Sequence, residues 1–533
     1  MSGRVIGLFC CMVFMLAVCI YRICYIDMSD YLSMAANVQG RYTLNIATAR
    51  GGIYDRNMKP LVNTRHRFVA AVLPTPQAAA ELLRVQPEEG RDALMERLSG
   101  GFPFAMEVET NDIYAFGVDV FRVPRRYGEV QLAPHVVGYL GDGGRNGVAG
   151  IERAYDETLA QYGAKLYAKY QLDAAGRAMQ GGGVEIGREN ENSAGGVVLT
   201  LSTDIQNVAQ NVITAGCEKG AAVVLDIDTG DILAMASVPA FDQNDIAASL
   251  QSTDAPFINR AVSGYNIGSV FKVIVAAAAL ENGFSPGRSY NCEGDIDIDG
   301  QVFRCNNHAV HGVIDMQKAL QVSCNTYFIS LAQQIEPEYM ISLCRHLGMG
   351  SAAELAPGFF TQAGNLPNAR ELSNKAALAN FSFGQGSSLA TPLQIAQVVS
   401  GIANNGRPVT PRLVRGLTAD GLSISAPAPN YAGGEILSPR TTELVQRMMV
   451  GVIEDGSGRP GRPIRGGAGG KTSSAQTGQL NEGGKEIVHA WFAGFYPAEN
   501  PRYSIVVFVE EGQSGERAAA PLFKQIADGI GLD

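Results

Sequence analysis

Asn266-Ile267-Gly268-Ser269-Val270-Phe271-Lys272, followed at once by Val273-Ile274-Val275-Ala276-Ala277-Ala278-Ala279-Leu280, is the stretch around which this chain is organised. Its second half is apolar on nearly every side of a helical projection, which predicts a buried helix. Ser269 and Lys272 stand three residues apart, so a helix sets hydroxyl and amine on one face, close enough to touch. Gly268 suits a helix start, where free backbone N–H groups and the helix dipole favour negative charge. A hydroxyl beside an amine is a nucleophile beside a base, provided burial leaves the lysine neutral. Ser-x-x-Lys recurs by chance in any long chain, so a catalytic reading needs its other parts elsewhere.

Two further stretches supply them. Ser323-Cys324-Asn325 opens a helical pattern, with an amide donor for a substrate carbonyl on Asn325 and a hydroxyl on Ser323 able to pass protons between Lys272 and a leaving amine. Lys471-Thr472-Ser473-Ser474 opens a strand, where Thr472 and Ser474 share one face; two hydroxyls and a nearby ammonium can bind a carboxylate. The backbone N–H groups of Ser269 and Ser474 are candidates for an oxyanion hole. Each triplet is individually common, whereas this order and spacing is not.

The remaining composition sets bounds. With 533 residues the chain can hold two or more domains with sizeable cores. A net charge of −10 without a long Lys/Arg run argues against nucleic acid as a partner. Val5 to Ile26 is apolar except for Arg22 and is long enough for a single bilayer span, with Arg22 snorkelling to the interface. A cleaved signal peptide is the competing reading, but no A-x-A-like site follows, and an uncleaved anchor fits better. Arg4 on one side faces Arg22 and Arg41 on the other, so charge does not orient the span. Either reading places the rest of the chain outside the cytoplasm. Of nine cysteines, four (Cys10, Cys11, Cys19, Cys24) lie in that segment; Cys217, Cys292, Cys305, Cys324 and Cys344 are too sparse for a disulfide scaffold. Cys292 and Cys305 bracket a Gly/Asp-rich loop and can be bridged or, with His308 and His311, bind zinc; their spacing is not the tight kind of structural zinc sites, and no metal or cofactor is expected.

Taken in order, Arg41 to Ile46 alternates like an exposed strand, and Arg50 to Asn57 reads as strand and turn. Pro74 to Leu98 is helical in pattern, and Gly147 to Glu152 leads into a short helix ending near Leu159. Gly181 to Gly183 and Arg188 to Ser193 read as a turn and a linker. Beyond it, Val197 to Leu201 and a helix from Asp204 precede a hairpin, Ala221 to Ile227 and Asp231 to Ser237, turning at Asp228-Thr229-Gly230. A helix near Met316 to Gln334, a glycine turn at Phe383 to Gly386 and a helix from Thr391-Pro392 follow. Strands at Lys471–Gln476, Ile487–Phe495 and Tyr503–Glu510 and an amphipathic helix from Pro521 to about Ile530 close the chain. Two strands, many helices and three strands predict an antiparallel sheet closed by both ends of one domain.

Ser-x-x-Lys, a Ser-x-Asn and a Lys-Thr-Ser variant of K-T-G are the signature of β-lactamases and penicillin-binding proteins. The chain resembles a class B penicillin-binding protein, a monofunctional cell-wall D,D-transpeptidase, over essentially its whole length. The likeness extends to the apolar N-terminus, Arg50-Gly51-Gly52-Ile53-Tyr54-Asp55-Arg56, Gly150-Ile151-Glu152, Thr229-Gly230, Gly384-Gln385-Gly386, Thr391-Pro392-Leu393-Gln394 and His489-Ala490-Trp491-Phe492. The resemblance implies an α+β fold: an anchor at 1–27, an elongated β-rich pedestal at 28–195, and a transpeptidase domain at 196–533 with an antiparallel sheet flanked by helices. It implies Ser269, Lys272 and Ser323 as catalytic residues and Asn325, Lys471, Thr472 and Ser474 as substrate-binding ones. The implied partners are stem peptides (a D-Ala-D-Ala donor and an amine acceptor), β-lactams, and a membrane glycan polymerase of the shape, elongation, division and sporulation family. Ser473 stands where the family usually has glycine. Its side chain is expected to point away from the substrate face into packed helices.

Other readings compete less well. Gly469-Gly470-Lys471-Thr472 suggests a phosphate loop, but Arg465 occupies the position that needs glycine. A Ser-His-Asp hydrolase needs a positioned histidine, and none of the six follows from a G-x-S-x-G elbow; His489 reads as a strand residue near the site. A β-lactam-hydrolysing or sensing relative would share the three motifs without so large an N-terminal region. A scaffold with weakened catalysis at Ser473 is the remaining alternative.

Overall fold

The computed structural model describes residues 2–27, 41–141, 144–173, 179, 183–190, 194–429, 433–481 and 483–531. Ser2–Asp27 is one helix, and its Gly3–Ile26 stretch has a mean hydropathy of 2.4, long and apolar enough to cross a membrane.

The rest divides into two compact units, and the chain passes between them more than once. One comprises residues 63–126 and 163–193 together with the chain up to Arg50. Within it, Arg41–Ala49 pairs with Ala164–Gln171, which pairs in turn with Glu185–Glu189. Arg65–Val72 is the middle strand of a second antiparallel sheet, between Phe104–Val108 and Val118–Arg125. The helical pattern after Pro74 splits at Pro87 into Pro76–Val85, capped by the Thr75 hydroxyl, and Arg91–Ser99. The expected linker at 188–193 begins inside a strand, since Arg188 and Glu189 pair with Leu166 and Lys165; its remainder at 191–193 and the turn at 181–182 lie outside the described residues.

The other unit comprises residues 51–62, 127–162 and 194–533. Gly52–Tyr54 joins it as a strand parallel to Gly196–Leu199. Asp55, fully buried, accepts from the backbone of Asn57 and Lys59 and from both the backbone and hydroxyl of Thr203. The Arg50–Arg56 motif is thus explained in part as a cap on α1 (Thr203–Gly216). After it come β1 (Gly220–Asp226) and β2 (Ile232–Val238), α2 (Lys272–Glu281), α3 (Asn325–Ala332), α4 (Pro392–Ala403) and α5 (Pro439–Asp455). Then follow β3 (Gly469–Leu480), β4 (Glu486–Tyr496), β5 (Tyr503–Val509) and α6 (Ala520–Ile530).

The five strands form one antiparallel sheet in the order β2-β1-β5-β4-β3, so the two ends of the unit close a single sheet. Alternation along the strands supplies two cores. Ala222, Val224, Phe492, Ile505 and Val507 pack with Ile213 of α1 and Phe523 and Ile526 of α6. Val223, Leu225, Trp491, Val506 and Phe508 face the other way, into the larger core that takes in α2 and α4. Lys272 to Ala279 are all buried, as the apolar run predicts. In α4 the Thr391 hydroxyl accepts from Gln394 N and the Gln394 side chain accepts from Thr391 N, a capping box with Pro392 in the first turn.

The helix expected from Met316 to Gln334 is broken. Met316–Gln321 ends, Ser323 takes a φ of +55°, and α3 starts at Asn325. Ser323 N donates to Leu320 O (3.3 Å) and Cys324 N to Ala319 O (2.8 Å), the paired bonds of a Schellman C-cap with serine where glycine is usual.

Candidate active site

Sequence order has little to do with how the site assembles. Gly268–Phe271 is a turn of 3-10 helix leading into α2, whose first residue is Lys272. Two contacts fix this turn. Gly268 N donates to Gly384 O (2.9 Å), and the chain's single tryptophan, Trp491 on β4, donates from Nε1 to Asn266 O (2.9 Å). A Cβ on Gly384 would fall 2.2 Å from Gly268 O, so the close approach requires glycine.

Lys272 is completely buried. Its Nζ donates to Ser323 O (2.6 Å) and Asn325 Oδ1 (2.6 Å) and lies 3.1 Å from Ser323 Oγ. The first two partners are pure acceptors. A neutral amine has two hydrogens and one lone pair, so those acceptors take the hydrogens and leave the lone pair for a hydroxyl. Burial draws this amine down to about 8, against the opposing influence of the Cys324 and Cys305 thiols. Ser269 is half-buried, with a hydroxyl that makes no hydrogen bond among the described residues. Hydroxyl and amine therefore share no hydrogen bond in this arrangement. Such pairs often tighten only with substrate bound.

From the sheet side, Lys471 Nζ reaches Ser323 Oγ (3.0 Å) and Thr472 O (2.9 Å). Lys471 is also fully buried; loss of hydration, then the charge of Lys272, holds its amine well below the ordinary range. One serine hydroxyl thus bridges two amines that cannot both be charged at low cost in so dry a place. Ser323 can accept from one and donate to the other, which is what a proton relay requires.

β3 is the edge of the sheet, and its residues alternate. Lys471, Ser473 and Ala475 are buried; Ser474 and Gln476 are exposed, and Thr472 lies almost buried on their face. The Thr472 hydroxyl shares a hydrogen bond with Ser457 Oγ (2.8 Å), and Ser474 Oγ accepts from Gly515 N (3.2 Å). Asn325 commits one N–H to Arg304 O (2.8 Å), leaving one for a ligand. Ser473 turns away from Thr472 and Ser474 and packs on the turn that carries Ser269. Its Oγ sits 2.3 Å from where a Cβ on Gly268 would be, buried and without a hydrogen-bond partner. His489 is buried on β4, its Nδ1 accepting from Glu511 N (3.2 Å) and its ring set edge-on against Tyr265.

Every candidate catalytic or substrate-binding residue singled out from the sequence belongs to this one unit. Lys272, Ser323, Asn325 and Lys471 form one connected set of hydrogen bonds. Ser457 escaped sequence reading because the Gly456-Ser457-Gly458 loop carries only a generic turn signal.

A fold and constellation of this kind define a transpeptidase class. The pattern of the penicillin binding protein transpeptidase domain matches residues 220–528, and the chain belongs to that family. The chain is 27% identical to the peptidoglycan D,D-transpeptidase MrdA of Acinetobacter baumannii, over 90% of this chain and 80% of that protein. Among solved structures it is similar to a chain from a study of polymerization and crosslinking by a peptidoglycan synthase complex, at 26% identity and TM-score 0.70, covering both chains fully. It is also similar to penicillin binding protein 3 of Mycobacterium tuberculosis complexed with aztreonam, at 27% identity and TM-score 0.65, covering 92% of this chain and 96% of the other.

Proposed function

We propose that this chain cross-links peptidoglycan stem peptides as a serine-type D,D-transpeptidase. The observation that carries the reading is the Ser323 hydroxyl held between the buried amine of Lys471 and that of Lys272, which follows Ser269 by one turn. Ser269 Oγ bonds to the penultimate D-Ala carbonyl carbon as its proton passes to Lys272. Ser323 relays that proton to the nitrogen of the departing D-Ala as the C–N bond breaks, leaving an acyl-enzyme. An amine from a neighbouring stem peptide then attacks the ester, and its proton returns to Ser269 by the same route. Lys471, Thr472 and Ser474 hold the donor's carboxylate, Asn325 a peptide carbonyl, and the Ser269 and Ser474 N–H groups the oxyanion.

The organisation proposed with it is an anchor at 1–27, a pedestal domain at 28–195, of which residues 51–62 and 127–162 fold into the other unit, and a transpeptidase domain at 196–533, with the bulk of the chain outside the cytoplasmic membrane. A membrane glycan polymerase of the shape, elongation, division and sporulation family is the proposed partner. The similarity to a synthase-complex chain supports that proposal. β-lactams are the proposed covalent inhibitors, supported by the similarity to a chain complexed with aztreonam. Incubated with penicillin, the full-length protein should gain the mass of one intact drug per chain, and Ser269→Ala should gain none while melting at the same temperature. A mass gain that survives Ser269→Ala removes the nucleophile from the mechanism.

A further inference from the structure

Gly384-Gln385-Gly386 belongs to the sequence signature, yet the proposed reaction gives Gln385 no task. The turn is fastened to both walls of the cleft. On one side Gly384 O accepts from Gly268 N (2.9 Å), next to Ser269, and Gln385 N donates to Asn380 O (3.0 Å). On the other, the half-buried Gln385 side chain reaches β3. Its amide oxygen accepts from Gln476 N (3.2 Å) and its nitrogen donates to Gln476 O (3.3 Å), the orientation that satisfies both groups. A peptide strand pairing with Gln476 would make the same two bonds.

Alternation along β3 shows what this contact covers. In a strand the N–H and C=O of one residue point to the same side, and those of the next residue to the other. β3 has a strand neighbour, β4, on one side only. Gln476 turns its groups outward to Gln385, and the register with β4 is unbroken from Gly469 to Gln476, so Ser474 and Thr472 also turn theirs outward. Thr472 O is taken by Lys471 Nζ (2.9 Å). Ser474 is therefore an open rung between two occupied ones.

A donor whose carboxylate lies at Lys471 and Thr472 enters antiparallel to β3, with its acyl part running toward Gln476. Its reacting residue pairs with Ser474, carbonyl on the N–H and N–H on the carbonyl. The next residue upstream turns its groups away from β3, toward the N–H that Asn325 keeps beyond its bond to Arg304 O. The second residue upstream, about 7 Å further along, meets Gln476, where the Gln385 carboxamide holds both groups. We infer that Gln385 is a specificity-determining residue that ends strand pairing between donor and β3 after this single rung. The site therefore accepts donors whether or not their backbone two residues upstream is that of an ordinary α-linked peptide. This role rests on the transpeptidase reading; the contact between Gln385 and Gln476 does not.

The test uses the full-length chain in detergent micelles and acyl-D-alanyl thioesters of mercaptoacetate, which keep a carboxylate on the leaving side. Ser269 Oγ forms an ester as the C–S bond breaks, and the released thiol is followed with a chromogenic thiol reagent. One donor is short and reaches Ser474 only; a second is longer by two α-linked residues; a third is the second N-methylated at its far residue. In wild type, kcat/KM for the long donor should lie within about twofold of that for the short one, and N-methylation should not change it. In Gln385→Ala the long-to-short ratio should rise at least about fivefold, the worth of one or two neutral hydrogen bonds, and N-methylation should remove the gain. Should that variant fail to fold, Gln385→Asn, a methylene too short to reach Gln476, takes its place. A ratio equal in wild type and variant overturns the inference, however far both rates fall together, as does a wild-type ratio that N-methylation lowers. Amide hydrogen exchange at Gln476 reads the contact itself: it should be at least about tenfold faster in the variant, and equal exchange overturns the contact. Wild type that releases no thiol from the short donor, or Ser269→Ala that still does, overturns the transpeptidase reading and the specificity role with it, while the exchange comparison still decides the contact.

Discussion

At residue scale the most telling position is Ser323. A φ of +55° costs a non-glycine residue about 1–2 kcal/mol, and the helix end it completes is one that glycine ordinarily makes. The strain is retained where the hydroxyl joins two amines, the usual place for it. Ser323→Gly and Ser323→Ala should both lose acylation by orders of magnitude. Yet the glycine variant should be the more stable of the two by about 1 kcal/mol in urea titrations, because only it relieves the backbone. Equal stabilities would mean that the turn relaxes. The pair of lysines sets the pH response. The Lys272 value, about 8, lies below its ordinary 10.5 because burial penalises the charge. The base is therefore mostly protonated below about 8, and acylation should rise roughly tenfold per pH unit up to a plateau above it; a flat profile between about pH 6 and 9 contradicts a neutral-lysine base. Stability moves with the same sign. Between the folded and unfolded values the unfolded chain binds more protons, so the penalty of burying Lys272 is full below about 8 and eases as pH rises toward 10.5.

Elements place these residues by their ends more than by their lengths. Ser269 precedes α2, Asn325 begins α3, and the Thr472 and Ser474 hydroxyls lie on the edge strand β3. α4 shows how firmly such an end is held. Gln394 accepts from Thr391 N and donates to Ser351 O (3.1 Å) and Ala363 O (2.9 Å), so one buried side chain satisfies three backbone groups. Thr391→Ala should cost about 1–2 kcal/mol as a lost cap. Gln394→Ala should cost more, about 2–4 kcal/mol, by stranding those groups, both read as shifts in denaturation midpoint; the reverse ranking would show that water replaces Gln394. The periodicity of α2, the hairpin of β1 and β2 and the Pro-initiated α4 were legible because local chemistry dictates them. The break at 322–324 was not, since Val322-Ser323-Cys324 contains neither glycine nor proline to announce it.

For the whole molecule, closure of one sheet by both ends of a unit makes its C-terminal helix structural. Phe523 is fully buried against Phe492, ring centroids 4.4 Å apart, in the core beneath β1, β4 and β5. Phe523→Ala should cost about 3–5 kcal/mol. It should also lower the temperature at which penicillin labelling is lost, although the side chain lies far from Ser269 in sequence; an unchanged melting curve would mean that α6 is dispensable. The chain by itself determined the apolar span, the buried helix behind Lys272, the strands and the three motifs, because periodicity, composition and side-chain chemistry act over a few residues. Only the tertiary structure decided that Ser323 bridges Lys272 and Lys471, that Ser473 packs on Gly268, and that Cys292, Cys305, His311 and Cys324 converge. Those contacts join segments far apart along the chain, and what sets their distances is the packing of a sheet against helices, which no local pattern encodes.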